Sequence, residues 1–169
     1  MQEIRFREDI LPLKDKIFRL ALRITFNRAE AEDIVQETLM RVWNHRDELL
    51  EIESLEAYCL TIARRLAIDA SEKKEAQNQR LTPEFDTPAE ASTPFDELVH
   101  KERMELLHRF VSQLPEKQRL VFHLRDVEGR SYQEIANILQ VSEEQVKVNL
   151  FRARQKIKQQ FIKTGDYGF

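Results

Sequence analysis

Apolar positions recur every three or four residues along most of the chain, and strict alternation is not sustained anywhere. Ile10, Leu13, Ile17, Leu20, Ala21 and Ile24 form one stripe and predict an amphipathic helix. Asn27 stands three residues before Glu30, a capping-box-like start for a second helix reaching about Asn44. On that helix Ala31, Val35, Leu39 and Val42 fall on the buried side, while Asp33, Glu37 and Arg41 line another face at intervals of four. After the polar interval 44–54, a third helix is predicted from about Leu55 to Lys74, burying Leu55, Tyr58, Ile62, Leu66 and Ile68.

The periodicity then breaks. LTPEFDTPAEASTPFDE is acidic, rich in small residues and carries Pro83, Pro88 and Pro94, which reads as a tether. Beyond it a helix is predicted from Phe95 to Gln113, ended by Leu114-Pro115 because proline disfavours helix in the residue before it. Glu116 to Arg125 follows, halted near Gly129, and Ser131 caps a short helix from Tyr132 to Leu139 with Glu134 in the third position. The expected organisation is a helical domain over 1–78, a flexible linker over 79–95 and a second helical domain over 96–169, with the tail 165–169 frayed.

Composition agrees with an all-α fold. Of 169 residues only three are glycine, the first of them Gly129, so folds built on glycine-bearing turns or phosphate-cradling loops are excluded. One cysteine, Cys59, cannot form an internal disulfide, and the four histidines show neither metal-ligand spacing nor a paired nucleophile. No enzyme chemistry, metal, cofactor or small-molecule substrate is indicated. The charged N-terminus and the lack of a long apolar run point to a cytoplasmic protein. Net charge is -3, but residues 1–71, 72–99 and 100–169 carry -3, -4 and +4. From Lys147 to Lys163 there are six basic residues and no acidic one, enough to neutralise phosphates locally.

That basic stretch lies in SYQEIANILQVSEEQVKVNLFRARQKIKQQF, where two helices are separated only by Gln140-Val141-Ser142. The spacing is that of a helix-turn-helix. Ala136 lets the helices approach, Ile135, Leu139, Val146 and Leu150 supply a shared core, and Ser142 with Gln145 caps the second helix. Such a helix enters the major groove, and Gln145, Lys147, Val148, Asn149 and Arg152 are its candidate readers. Asn and Gln suit adenine, whereas Lys and Arg suit guanine or phosphate. Gln140 occupies a turn position where glycine is common.

Three stretches together resemble the extracytoplasmic-function sigma factors, the two-domain initiation subunits of bacterial RNA polymerase. AEAEDIVQETLMRVW (29–43) is similar to the family's region 2.2, EAYCLTIARRLAIDASEKK (56–74) to region 2.4, and 113–157 to region 4. The resemblance implies that Asp33, Gln36, Glu37, Arg41 and Trp43 dock on the clamp helices of the largest subunit of the polymerase core. The interval 44–54 would capture a flipped promoter base; Tyr58, Arg64 and Arg65 would meet the minus-ten element, and the recognition helix the minus-thirty-five element. Tyr58 stands where the family commonly has tryptophan and Arg65 where it has asparagine. The implied partners are polymerase core, promoter DNA and an inhibitory anti-sigma factor. The competing readings are a helix-turn-helix regulator that does not bind polymerase core and a helical protein-protein adaptor with no DNA role; a simple regulator has no use for the first two signatures.

Overall fold

The structure is a computed structural model, and it describes residues 3–76 and 94–165. All regular elements among these residues are helical. The linker expected over 79–95 lies outside them except for its last two residues, which begin a helix, and the frayed tail lies outside except for Gly165.

The first stripe does not make one uninterrupted helix. Pro12 lacks an amide hydrogen, and the chain enters through a π-turn over Phe6–Ile10 and a 3-10 turn over Leu11–Leu13 before α1 (Lys14–Thr25). Ile10, Ile17, Leu20, Ala21 and Ile24 are nonetheless all fully buried. α1 ends on Phe26, held in the left-handed region at φ 55°, where its amide donates to Leu22. α2 (Arg28–Asn44) starts on the Asn27 side chain, which accepts from the Glu30 amide at 2.9 Å. Only half of a capping box forms, since the Glu30 carboxylate instead pairs with Lys74 at 2.7 Å.

α2 buries Ala31, Ile34, Thr38, Leu39 and Val42, while the predicted Val35 is half-buried. α3 (Leu55–Ala76) departs further from expectation. Its fully buried face is Cys59, Leu60, Ala63 and Ala67; Leu55, Tyr58, Ile62, Leu66 and Ile68 are half-buried against the rim of the core. The physical reason is close approach: α3 packs against both α1 and α2, and small side chains at its centre allow this.

The second half contains α4 (Pro94–Ser112), α5 (Glu116–Phe122) with a π-turn to Val127, α6 (Tyr132–Leu139) and α7 (Glu143–Lys163). α7 lies across α4, α5 and α6, and its Val146, Leu150, Ala153, Ile157 and Phe161 are buried at helical spacing. Phe161 meets Phe110 of α4 edge to face at 5.0 Å between ring centres. The two halves are in contact with each other: α1 packs on α5, and α3 packs on α6.

Candidate nucleic-acid interface

The α6–α7 pair is built by local chemistry. Ser131 accepts from the Glu134 amide at 3.1 Å, and Ser142 and Gln145 form a complete reciprocal capping box at 3.1 Å in each direction. Gln140 closes α6 in the left-handed region at φ 57°, with its own amide donating to Ala136, so the turn forms although glycine is absent. Ala136, Ile135, Leu139, Val146 and Leu150 are buried between the helices as the pattern predicts.

Gln145, Lys147, Val148 and Arg152 are exposed on the outer face of α7, with Asn149 half-buried beside them. Two amides are already engaged: Gln145 Oε1 accepts from the Ser142 amide, and Asn149 Nδ2 donates to the Gln145 carbonyl at 2.8 Å. Reading adenine with both atoms of either amide therefore requires exchanging an intrahelical bond for a base contact. Lys147 Nζ sits 5.6 Å from the Tyr132 ring centre, and Arg125 lies over the same ring at 4.5 Å. Arg154, which no base-reading argument singles out, is clamped to Asp126 through bonds of 2.9 and 2.6 Å. That bond raises its pKa, against the smaller opposing effect of burial.

A second surface lies on α2. Asp33, Gln36, Glu37 and Arg41 are all exposed, with Arg41 donating to Glu37 at 2.8 Å. An exposed i,i+4 pair of this kind contributes only about 0.3–0.5 kcal/mol, so the face is not required for folding. Trp43 is placed differently from the other four. It is half-buried, meets Phe6 edge to face at 5.6 Å and carries the Arg46 guanidinium at 3.9 Å from its ring centre. Within the chain the indole therefore anchors the N-terminal turn and the start of the 44–54 interval, which holds a 3-10 turn over Arg46–Leu49.

The third set lies on α3. Arg65 is exposed, Tyr58 is half-buried, and Arg64 turns into the seam between the halves, 3.5 Å from the Ile138 carbonyl of α6. The structure thus keeps the α2 and α7 sets on open surfaces, whereas part of the α3 set is covered.

Sequence reasoning missed the seam itself. Arg19 makes a two-pronged pair with Glu128 at 2.7 and 3.2 Å, and Arg23 bonds the Nδ1 atoms of both His123 (3.2 Å) and His108 (3.0 Å). A guanidinium only donates, so both Nδ1 atoms accept and each neutral ring carries its hydrogen on Nε2. Burial lowers the Arg23 pKa to about 10, with Arg119 adding to the effect and Glu128 opposing it. Burial, then Arg23, Arg19 and His108, hold His123 well below the usual imidazole value. Burial also lowers the Arg119 pKa, opposed by Glu116, and its guanidinium lies 4.9 Å from the Phe26 ring centre. At the other end Arg130 pairs with Glu56 at 2.9 Å, and Glu56 also takes Lys16 at 2.6 Å. The available signal was Arg23 itself, a charged residue between the buried positions of α1.

Residues 10–77 match the sigma-70 region 2 family and residues 104–157 match sigma-70 region 4. The ECF RNA polymerase sigma factor SigL of Mycobacterium tuberculosis (strain ATCC 25618 / H37Rv) is 32% identical over 149 residues, covering 84% of this chain and 80% of SigL. SigW of Bacillus subtilis (strain 168), also an ECF RNA polymerase sigma factor, is 30% identical over 156 residues, covering 87% of this chain and 83% of SigW. Among solved structures, the sigma factor RpoE in complex with the anti-sigma factor NepR from Bartonella quintana superposes with a TM-score of 0.74 at 21% identity, over 91% of this chain and 94% of that one. CnrH in complex with the cytosolic domain of CnrY gives a TM-score of 0.68 at 17% identity, over 94% and 88%.

Proposed function

The chain belongs to the extracytoplasmic-function sigma factors of the sigma-70 family, and from that premise we propose a division of labour among its three surfaces. As a sigma factor it binds RNA polymerase and directs promoter recognition and transcription initiation. The exposed α2 face of Asp33, Gln36, Glu37 and Arg41 docks on the clamp helices of the core enzyme, with Trp43 holding the end of that helix in place. Tyr58, Arg64 and Arg65 on α3 engage the minus-ten element. Gln145, Lys147, Val148, Asn149 and Arg152 at the start of α7 read the minus-thirty-five element in the major groove. Residues 1–78 and 96–169 are the two working domains, and 79–95 is their tether.

The observation that carries this reading is the exposure of a charged α2 face that folding does not need, in the half opposite the capped recognition helix. A duplex-binding regulator has no role for such a face. Opening the strands needs no catalytic group on this chain, because a base flipped into a pocket and stacked there offsets an unpairing cost of about a few kcal/mol. An anti-sigma factor fits as a further partner, by analogy with the RpoE–NepR complex that the fold resembles.

The test is reconstituted transcription from promoter DNA with purified core polymerase. Asp33→Arg should weaken core binding and leave duplex binding intact, and Lys147→Glu should do the reverse. Equal loss of both activities in either folded variant would overturn the assignment of separate surfaces, and tight duplex binding with no defined start site would favour the regulator reading.

A further inference from the structure

Of the five side chains assigned to base reading on α7, three already have a partner within the chain. Gln145 Oε1 accepts from the Ser142 amide at 3.1 Å, Asn149 Nδ2 donates to the Gln145 carbonyl at 2.8 Å, and Lys147 Nζ leans toward the Tyr132 ring. An amide that leaves such a bond to meet adenine exchanges one hydrogen bond for another, so its net contribution to base choice is small. Val148 has no bond to give up.

Val148 is 41% exposed, and Phe151, three residues on and therefore its neighbour on the helix surface, is 65% exposed. Phe151 is the most exposed large apolar side chain among the described residues. Neither residue belongs to the buried stripe of α7, which is Val146, Leu150, Ala153, Ile157 and Phe161. The fold thus has no use for this apolar pair, which interrupts an outer face otherwise carrying the exposed cations Lys147, Arg152, Lys156 and Lys158. In the major groove one base alone offers an apolar group, the C5-methyl of thymine. A valine laid against any other base edge covers donors and acceptors that it cannot bond, and they lose water without replacement. We propose that Val148, flanked by Phe151, reads the methyl group of a thymine in the minus-thirty-five element, and that this contact sets base choice there more than either amide does. This rests on the assignment of α7 to that element.

The test uses the full chain bound to core polymerase and a duplex library randomised over one helical turn. Sequences enriched by the parent and lost with Lys147→Glu define the site that α7 reads. Each thymine in that site is then replaced singly by deoxyuridine, which removes the methyl group and keeps every hydrogen-bonding atom of the base. At one position the replacement should weaken binding about fourfold, the value of one methyl group taken out of water. Val148→Ser should bring thymine and deoxyuridine there close to equal, and Phe151→Ala should shrink the difference. Gln145→Ala and Asn149→Ala should keep the difference even where they weaken binding overall. The comparison on the parent needs no variant, so it stands whether or not a substitution disturbs folding. An enriched site without thymine, one where deoxyuridine binds as well as thymine throughout, or a difference unchanged by Val148→Ser would overturn the methyl contact and leave the assignment of α7 standing. No enriched site, or one that Lys147→Glu retains, would overturn that assignment and the methyl contact with it.

Discussion

His123 is a fully buried imidazole surrounded mainly by positive groups. Arg23 and Arg19 act on it from α1 and His108 from α4, and Glu128 Oε1 is 3.6 Å from its Nε2. The folded protein therefore keeps this ring neutral at pH values where the unfolded chain, titrating near 6.5, takes up a proton. The stability due to its neutral burial is present above pH 6.5 and is lost as the solution becomes more acidic, because the unfolded state then binds more protons than the native one. Between pH 7.5 and 5.5 this single group accounts for up to about 1.4 kcal/mol. With a urea slope near ~2 kcal/mol per molar, the midpoint falls by about 0.7 M. His123→Asn retains an acceptor for the Arg23 guanidinium and removes the titration. Its midpoint is lower at both pH values, but it should lack that additional acid-dependent fall. Urea titrations of the two proteins at pH 7.5 and 5.5 give the difference directly, since carboxylates and the other histidines are common to both. Equal acid-induced falls in the two proteins would refute the assignment of the proton to His123.

Gln140→Gly removes a left-handed non-glycine residue, a conformation that costs about 1–2 kcal/mol, while adding some backbone freedom to the unfolded chain. A net gain of about 0.5–1 kcal/mol should raise Tm by roughly 1–4 °C in a thermal melt, and an unchanged or lower Tm would contradict the strain. Burial, reinforced by nearby Glu56, pushes the Cys59 thiol up to about 12. Iodoacetamide at pH 8 should leave it unmodified in the native protein and alkylate it in urea, as mass spectrometry would show; native labelling at the rate of a free thiol would refute this.

The parts of the fold legible in the sequence are those fixed by neighbours in the chain. Ser131 with Glu134 and Ser142 with Gln145 set their helix starts within three residues, and the shared core of α6 and α7 follows from helical spacing. The exposed α2 acids and Arg41 were readable for the same reason. The α3 core face was misread because large apolar side chains outweighed small ones in the pattern, whereas Ala63 and Ala67 are what allow close packing. Gln140 shows that a tight turn can be forced on a poor residue by the contacts on either side. The seam was not readable, since Arg19 and Glu128 are 109 positions apart and no local period brings them together. His108 and His123, which show neither metal-ligand spacing nor a paired nucleophile in the sequence, meet Arg23 only when α1 packs on the second half.

The chemistry of that seam bears on how firmly the two halves are held together. An apolar face between domains would lose roughly 25 cal/mol for every Å² exposed on opening, with nothing gained from water. Charged and imidazole groups are different, because each regains hydration when the halves part. The partly exposed pair of Arg130 with Glu56, both 20% exposed, contributes far less than a buried ion pair would suggest.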